Sequence, residues 1–121
     1  MDLSKITKIH FIGVGGIGVS AVAKMLKLMG KEVSGSDLTP TETTRELEAL
    51  GIKFFVGQNA DNLAPGVELV IYSSAVGEDN PERVRAREIG AVEMSYFEFL
   101  GEYSRDSFTI ARSLEKRPFL V

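Results

Sequence analysis

The stretch that most constrains this chain runs from Lys8 to Gly30: KIHFI, then GVGGIG, then VSAVAKMLKLMG. A short apolar strand, a glycine loop and a helix follow one another, which is the setting a G-x-G-x-x-G match requires. Gly13, Gly15 and Gly18 fill the motif, and Gly16 adds a fourth glycine inside it. The first permits a tight turn off the strand, the second lets backbone approach a phosphate, and the third lets the helix pack closely. Free amides at the helix start, with the helix dipole, then make an anion site that needs no lysine or arginine. That suits a chain of net charge -3.

A secretory signal competes for the same residues. Lys5 and Lys8 precede an apolar run from Ile9 to Ala23, and Ala21-Val22-Ala23 imitates a cleavage site. Four glycines between positions 13 and 18, and a helical pattern unbroken across the supposed cut, favour the folded reading.

With 121 residues, 44% hydrophobic and 26% charged, the chain has the size and composition of one domain with a real core. No run of apolar residues is long enough to span a membrane, and none is expected to. The absence of cysteine excludes disulfides and thiolate chemistry and fits a reducing compartment, so a cytoplasmic location is expected. A pI near 5.2 argues against a nucleic-acid surface.

Along the chain, Lys8 to Ile12 reads as the first strand. It carries His10, the only histidine, read as a packing residue in preference to a catalytic one. In the helix after the glycines, Ser20, Lys24 and Lys27 form one narrow polar stripe; the rest is apolar, which predicts burial around most of its circumference, with Gly30 as cap. Glu32 to Gly35 is a second strand, and Ser36-Asp37 falls just past its end. Asp37 stands nineteen residues after Gly18, close to where a dinucleotide fold places its ribose-binding carboxylate, and that position favours the ligand role over a turn aspartate or a solvated loop charge.

Thr39-Pro40-Thr41-Glu42 predicts a capping box opening a helix that ends at Gly51, with Leu47 and Leu50 facing inward. Lys53 to Val56 is a third strand, and 57–66 a loop with room for a single helical turn. Glu68 to Tyr72 is a continuous apolar strand of the parallel-sheet kind. Ser73, Ser74 and Ala75 follow at its carboxyl end, where such sheets bind ligands, and the serines either touch a ligand or cap a turn. Asn80-Pro81 opens a helix closed by Gly90, whose Arg83, Arg85 and Arg87 are assigned to solvent or to Glu82 and Glu88. Ala91 to Met94 is a fifth strand. Ser95 to Glu98 is a second capping box, with Tyr96, Phe99, Leu100 and Tyr103 as a core stripe, and Phe108 to Ala111 a sixth strand. The alternation predicts a single-domain α/β fold, a Rossmann-like doubly wound parallel sheet in the order 3-2-1-4-5-6.

The segments IHFIGVGGIGVSAVA, EVSGSD, TTRELEALGIKFFVGQNADNL and VIYSSAVGEDNPERVRAREIG resemble the N-terminal domain of the UDP-N-acetylmuramate–L-alanine ligases of the Mur ligase family, which act in peptidoglycan synthesis. The resemblance spans about residues 8 to 111, in register. A related tripeptide-salvage ligase usually departs from G-x-G-G-x-G. The resemblance implies that residues 1–111 bind UDP-N-acetylmuramate or UDP, with the amides of Gly15, Gly16, Ile17 and Gly18 on the diphosphate. Ser36 and Asp37 would lie near the uridine, and Ser73, Ser74 and Ala75 on the other side of the cleft. Many members carry histidine after the glycine at 57, where this chain has Gln58.

Members continue into a G-T-H-G-K-[ST] loop for ATP, but residues 112–121 form a tail beginning Arg112-Ser113-Leu114. The chain is therefore expected to bind and not to ligate alone. The resemblance places ATP and magnesium in the central and C-terminal domains, with no cofactor and no metal in this chain. An NAD-binding oxidoreductase or regulatory domain, for which Gly13, Gly15, Gly18 and Asp37 also serve, and a non-binding structural domain are the competing readings.

Overall fold

The computed structural model describes residues 2–104. Five strands form one parallel sheet: β1 (Lys8–Ile12), β2 (Glu32–Asp37), β3 (Lys53–Val56), β4 (Leu69–Tyr72) and β5 (Val92–Ser95), in the order β3-β2-β1-β4-β5. The expected order and class therefore hold across these five strands. The expected sixth strand and the tail lie outside the described residues. Helices α1 (Ile17–Leu28), α2 (Glu42–Ala49) and α3 (Pro81–Ile89) join them, and the described chain closes with helix α4 (96–104).

Alternate strand residues face opposite ways, so each helix layer meets its own set. Ile9, Phe11, Leu69 and Ile71 pack under α1, α2 and Phe99 of α4. Ile12 and Val70 pack under Ala86 of α3 with Leu63 and Val67. The aromatic stripe of α4 is thus a core face, as its spacing predicts. In register, Ile12 stands opposite both Ser36 and Tyr72, Asp37 opposite Val56, and Tyr72 opposite Ser95. All five strands consequently end at one edge.

Local signals set most boundaries. Asn80 caps α3 by accepting from the amides of Glu82 (2.9 Å) and Arg83 (3.4 Å), and Gly90 closes it at φ +75°. Four expectations need correcting. The cap of α2 is Thr41, paired with Thr44, two residues beyond the predicted Thr39, so Pro40 precedes the helix. Leu47 is buried but Leu50 remains 41% exposed, being the residue that follows the last turn. On α1, Ser20 is buried with its hydroxyl donating to the Ile17 carbonyl (2.9 Å), whereas Ile17 and Leu28 are 92% and 78% exposed. The sheet covers one side of α1, so an apolar sequence all round does not bury it all round. Arg83 and Arg87 pair with Glu93 of β5 (2.9 and 3.4 Å), not with Glu82 or Glu88.

Two surface carboxylates hold backbone ends in place. Glu68 accepts from the amides of Thr7 (2.8 Å) and Lys8 (3.1 Å), and Glu98 from that of Ser95 (2.9 Å). These hydrogen bonds, the Thr7 and Ser95 amides foremost, hold both carboxyls below the usual carboxylate value of 4.5. A lowered folded-state value gives stability that is present above the ordinary value and lost as pH falls through the lowered one. Glu68→Gln with Glu98→Gln should therefore flatten the acid limb of the urea midpoint below pH 4.5. An acid limb as steep as the parent's would refute this.

Candidate functional site

The loop after β1 is built by β2. The amides of Gly13 and Val14 both donate to the Ser36 carbonyl (2.9 and 3.0 Å), and Gly13 takes φ +84° to allow the bend. The Val14 side chain is fully buried over Gly35, where a Cβ would come within 2.8 Å of it. Asp37 then reaches across: its Oδ2 accepts from the Gly15 amide at 2.8 Å and its Oδ1 from the Leu38 amide at 2.7 Å. Gly15 was expected to offer its amide to a diphosphate; here that amide is held by a carboxylate of the chain itself. Helix α1 starts at Ile17, and Gly16 before it supplies no side-chain cap. The amides of Ile17, Gly18 and Val19 in its first turn thus have no intrahelical acceptor.

Beside the loop, at the common edge of the strands, lies a cleft of about 430 Å³. Of the residues singled out from the sequence, Gly13, Asp37, Ser73 and Ala75 line it together. Gly15 to Gly18 stand next to it at the start of α1, and Ser74 is exposed without lining it. Leu38, Gln58, Asp79 and Asn80 are among the other wall residues, and no lysine or arginine is among the lining residues. Gln58, conspicuous in the sequence only as a departure, accepts a hydrogen bond from the Asn80 side-chain amide, which closes one wall.

Ser36 is a correction. β2 runs through Asp37, two residues beyond its predicted end, so Ser36 points into the fold with no exposed surface. Its hydroxyl donates to Glu82 Oε1 (2.8 Å) and its carbonyl holds the glycine loop, so it supports the site from beneath instead of facing a ligand.

Glu82 is the residue that sequence reasoning missed. Assigned to an exposed arginine partner, it is fully buried between α3 and the sheet. Its Oε1 meets His10 Nε2 at 2.5 Å, and its Oε2 accepts from the Asn59 amide and the Asn62 side chain, both at 3.2 Å. His10, also fully buried, meets Ser34 Oγ through Nδ1 at 2.7 Å. It packs against neighbours, as expected, and lies away from the cleft lining. No spacing signals such a pairing, because its members come from β1, β2, the 57–62 segment and α3. The 57–62 segment carries the predicted single helical turn, Ala60–Asn62.

Residues 8–108 match the family described as "Mur ligase family, catalytic domain". A UDP-N-acetylmuramate–L-alanine ligase of Geotalea uraniireducens is 48% identical over 107 residues, and one of Carboxydothermus hydrogenoformans 44%. Each alignment covers 88% of this chain and 23% of the relative. Among solved structures, the UDP-N-acetylmuramate-alanine ligase of Thermotoga maritima superposes with a TM-score of 0.74 at 44% identity, over 84% of this chain and 23% of that one. The UDP-N-acetylmuramate:L-alanyl-gamma-D-glutamyl-meso-diaminopimelate ligase of Neisseria meningitides follows at 0.71 and 27%, over 80% and 31%. The chain thus spans under a quarter of the length of the L-alanine ligases it matches.

Proposed function

The chain belongs to the Mur ligase family, and on that premise we propose that it is the UDP-anchoring domain of a cytoplasmic UDP-N-acetylmuramate–L-alanine ligase of peptidoglycan synthesis. The observation that carries the reading is the meeting of the uncapped start of α1 with the cleft walled by Gly13, Asp37, Ser73 and Ala75. With no cation in that lining, the diphosphate rests on neutral donors: the amides of Ile17, Gly18 and Val19, supplemented by hydroxyls such as that of Ser73. The uridine lies toward Asp37 and Gln58. The chain's own part in the reaction is to bind and orient the sugar nucleotide, so that affinity from a remote handle goes into positioning the reacting carboxylate.

ATP and magnesium belong to the parts of the ligase outside this chain. Among the described residues no group of three His, Cys, Asp or Glu is arranged to hold a metal ion, nor is any helix long and apolar enough to cross a membrane.

Separate titrations with UDP, UDP-N-acetylmuramate and NADH test the reading. Ligand at a hundred times its Kd should stabilise the chain by about 2.7 kcal/mol, and we expect this for the two uridine ligands only. Stabilisation by NADH with none by either uridine compound would overturn it in favour of an NAD-binding domain.

A further inference from the structure

The residue after β5 returns to the loop after β1. Because Ser95 stands opposite Tyr72, and Tyr72 opposite Ile12, Tyr96 leaves the sheet at the edge where Gly13 and Ser73 leave it. Its position is fixed by a capping box: the Ser95 amide donates to Glu98 Oε1 (2.9 Å) and the Glu98 amide to Ser95 Oγ (3.1 Å). The Tyr96 ring packs against the apolar core and lies directly over Gly18. A Cβ on Gly18 would stand 2.8 Å from the ring's Cζ and in contact with its hydroxyl. The third glycine of the motif therefore makes room for a phenol that reaches the first turn of α1.

That hydroxyl has no hydrogen-bond partner among the described residues, although a largely packed tyrosine ordinarily finds one. It lies beside amides that also lack acceptors, in a site whose Gly15 amide is already taken by Asp37 and whose lining holds no cation. Unmatched donors from two elements, α1 and α4, call for one kind of occupant, an anion with several acceptor oxygens.

We propose that the Tyr96 hydroxyl donates a hydrogen bond to a non-bridging oxygen of the diphosphate, making Tyr96 a ligand-contacting residue of the site. This rests on the functional reading above. As a neutral donor, Tyr96 strengthens the grip on the diphosphate and leaves the uridine contacts untouched.

The test compares the whole chain with Tyr96→Phe by calorimetric titration with UDP and with uridine. Phenylalanine keeps the ring packing, so the unliganded melting temperature should hold, while UDP binding weakens about tenfold or more, the loss of one hydrogen bond to a charged group. Uridine binding should not change. A parent chain that binds UDP and a variant that binds it equally well would overturn this inference alone; a parent chain indifferent to UDP would overturn the functional reading and this inference with it. The tyrosine Cζ NMR resonance of Tyr96 reads the same bond without a substitution. It should shift with UDP and not with uridine, and its failure to move with bound UDP would also overturn the proposal.

Discussion

Glu82→Ala should lower the free energy of unfolding by about 3–5 kcal/mol, the range for breaking one side of a buried ionisable pair. The Glu82 carboxyl group has no exposed surface; Ser36, Asn59 and Asn62 donate to it, and His10 Nε2 meets it as the fourth partner. Alanine takes that shared partner from all four in a space too enclosed for ready rehydration, although the Asn62 side chain keeps a second acceptor in the Gly57 carbonyl (3.0 Å). Since about 1 kcal/mol moves the melting temperature of a domain this size by roughly 4–8 °C, the loss should exceed ten degrees or so and appear as a lower urea midpoint. His10→Ala should cost less when Glu82 is already alanine than when it is intact, because the two share one interaction. Additive losses, or a Glu82→Ala penalty below about 1 kcal/mol, would show that the cluster does not act as a unit.

Gly15→Val should abolish measurable UDP binding, a loss of about a hundredfold or more, while the chain still folds. Gly15 is not in the left-handed region, so the backbone accepts a side chain. The difficulty lies in what that side chain meets: a Cβ at Gly15 would stand 2.7 Å from Asp37 Oδ2 and 3.5 Å from Thr44 Cγ2. Valine must push the Asp37 carboxylate off the loop and into the cleft it lines, placing a negative charge where the diphosphate belongs. Calorimetry with UDP and a thermal melt of the unliganded variant separate the two effects. Retained UDP affinity would remove the loop from the site.

What the sequence disclosed was what neighbouring residues settle among themselves. β1, the glycine loop, the Asn80-Pro81 start and Gly90 end of α3, and the Ser95–Glu98 box all depend on contacts within a few positions, and each falls at or within a residue of where it was expected. The strand order followed from alternation and handedness. The burial of Glu82 and Ser36, and the seat of Tyr96 over Gly18, stayed hidden because they are set by partners far along the chain: Glu82 meets His10 across 72 positions and Ser36 across 46. An acidic residue in the first turn of a helix looks exposed until the fold supplies a histidine beneath it. Asp37 was half legible: its distance from the glycines marked it, but its bond to Gly15 required the extra length of β2.

That bond bears on the energetics of ligand capture. One carboxylate, with an oxygen on Gly15 and the other on Leu38, clamps the bend to its own strand before any nucleotide arrives. A rigid empty receptor spends little affinity on ordering itself. Backbone motion at 13–18 should then be much the same in the vacant and filled states, and selectivity should come from shape and donor placement instead of loop closure.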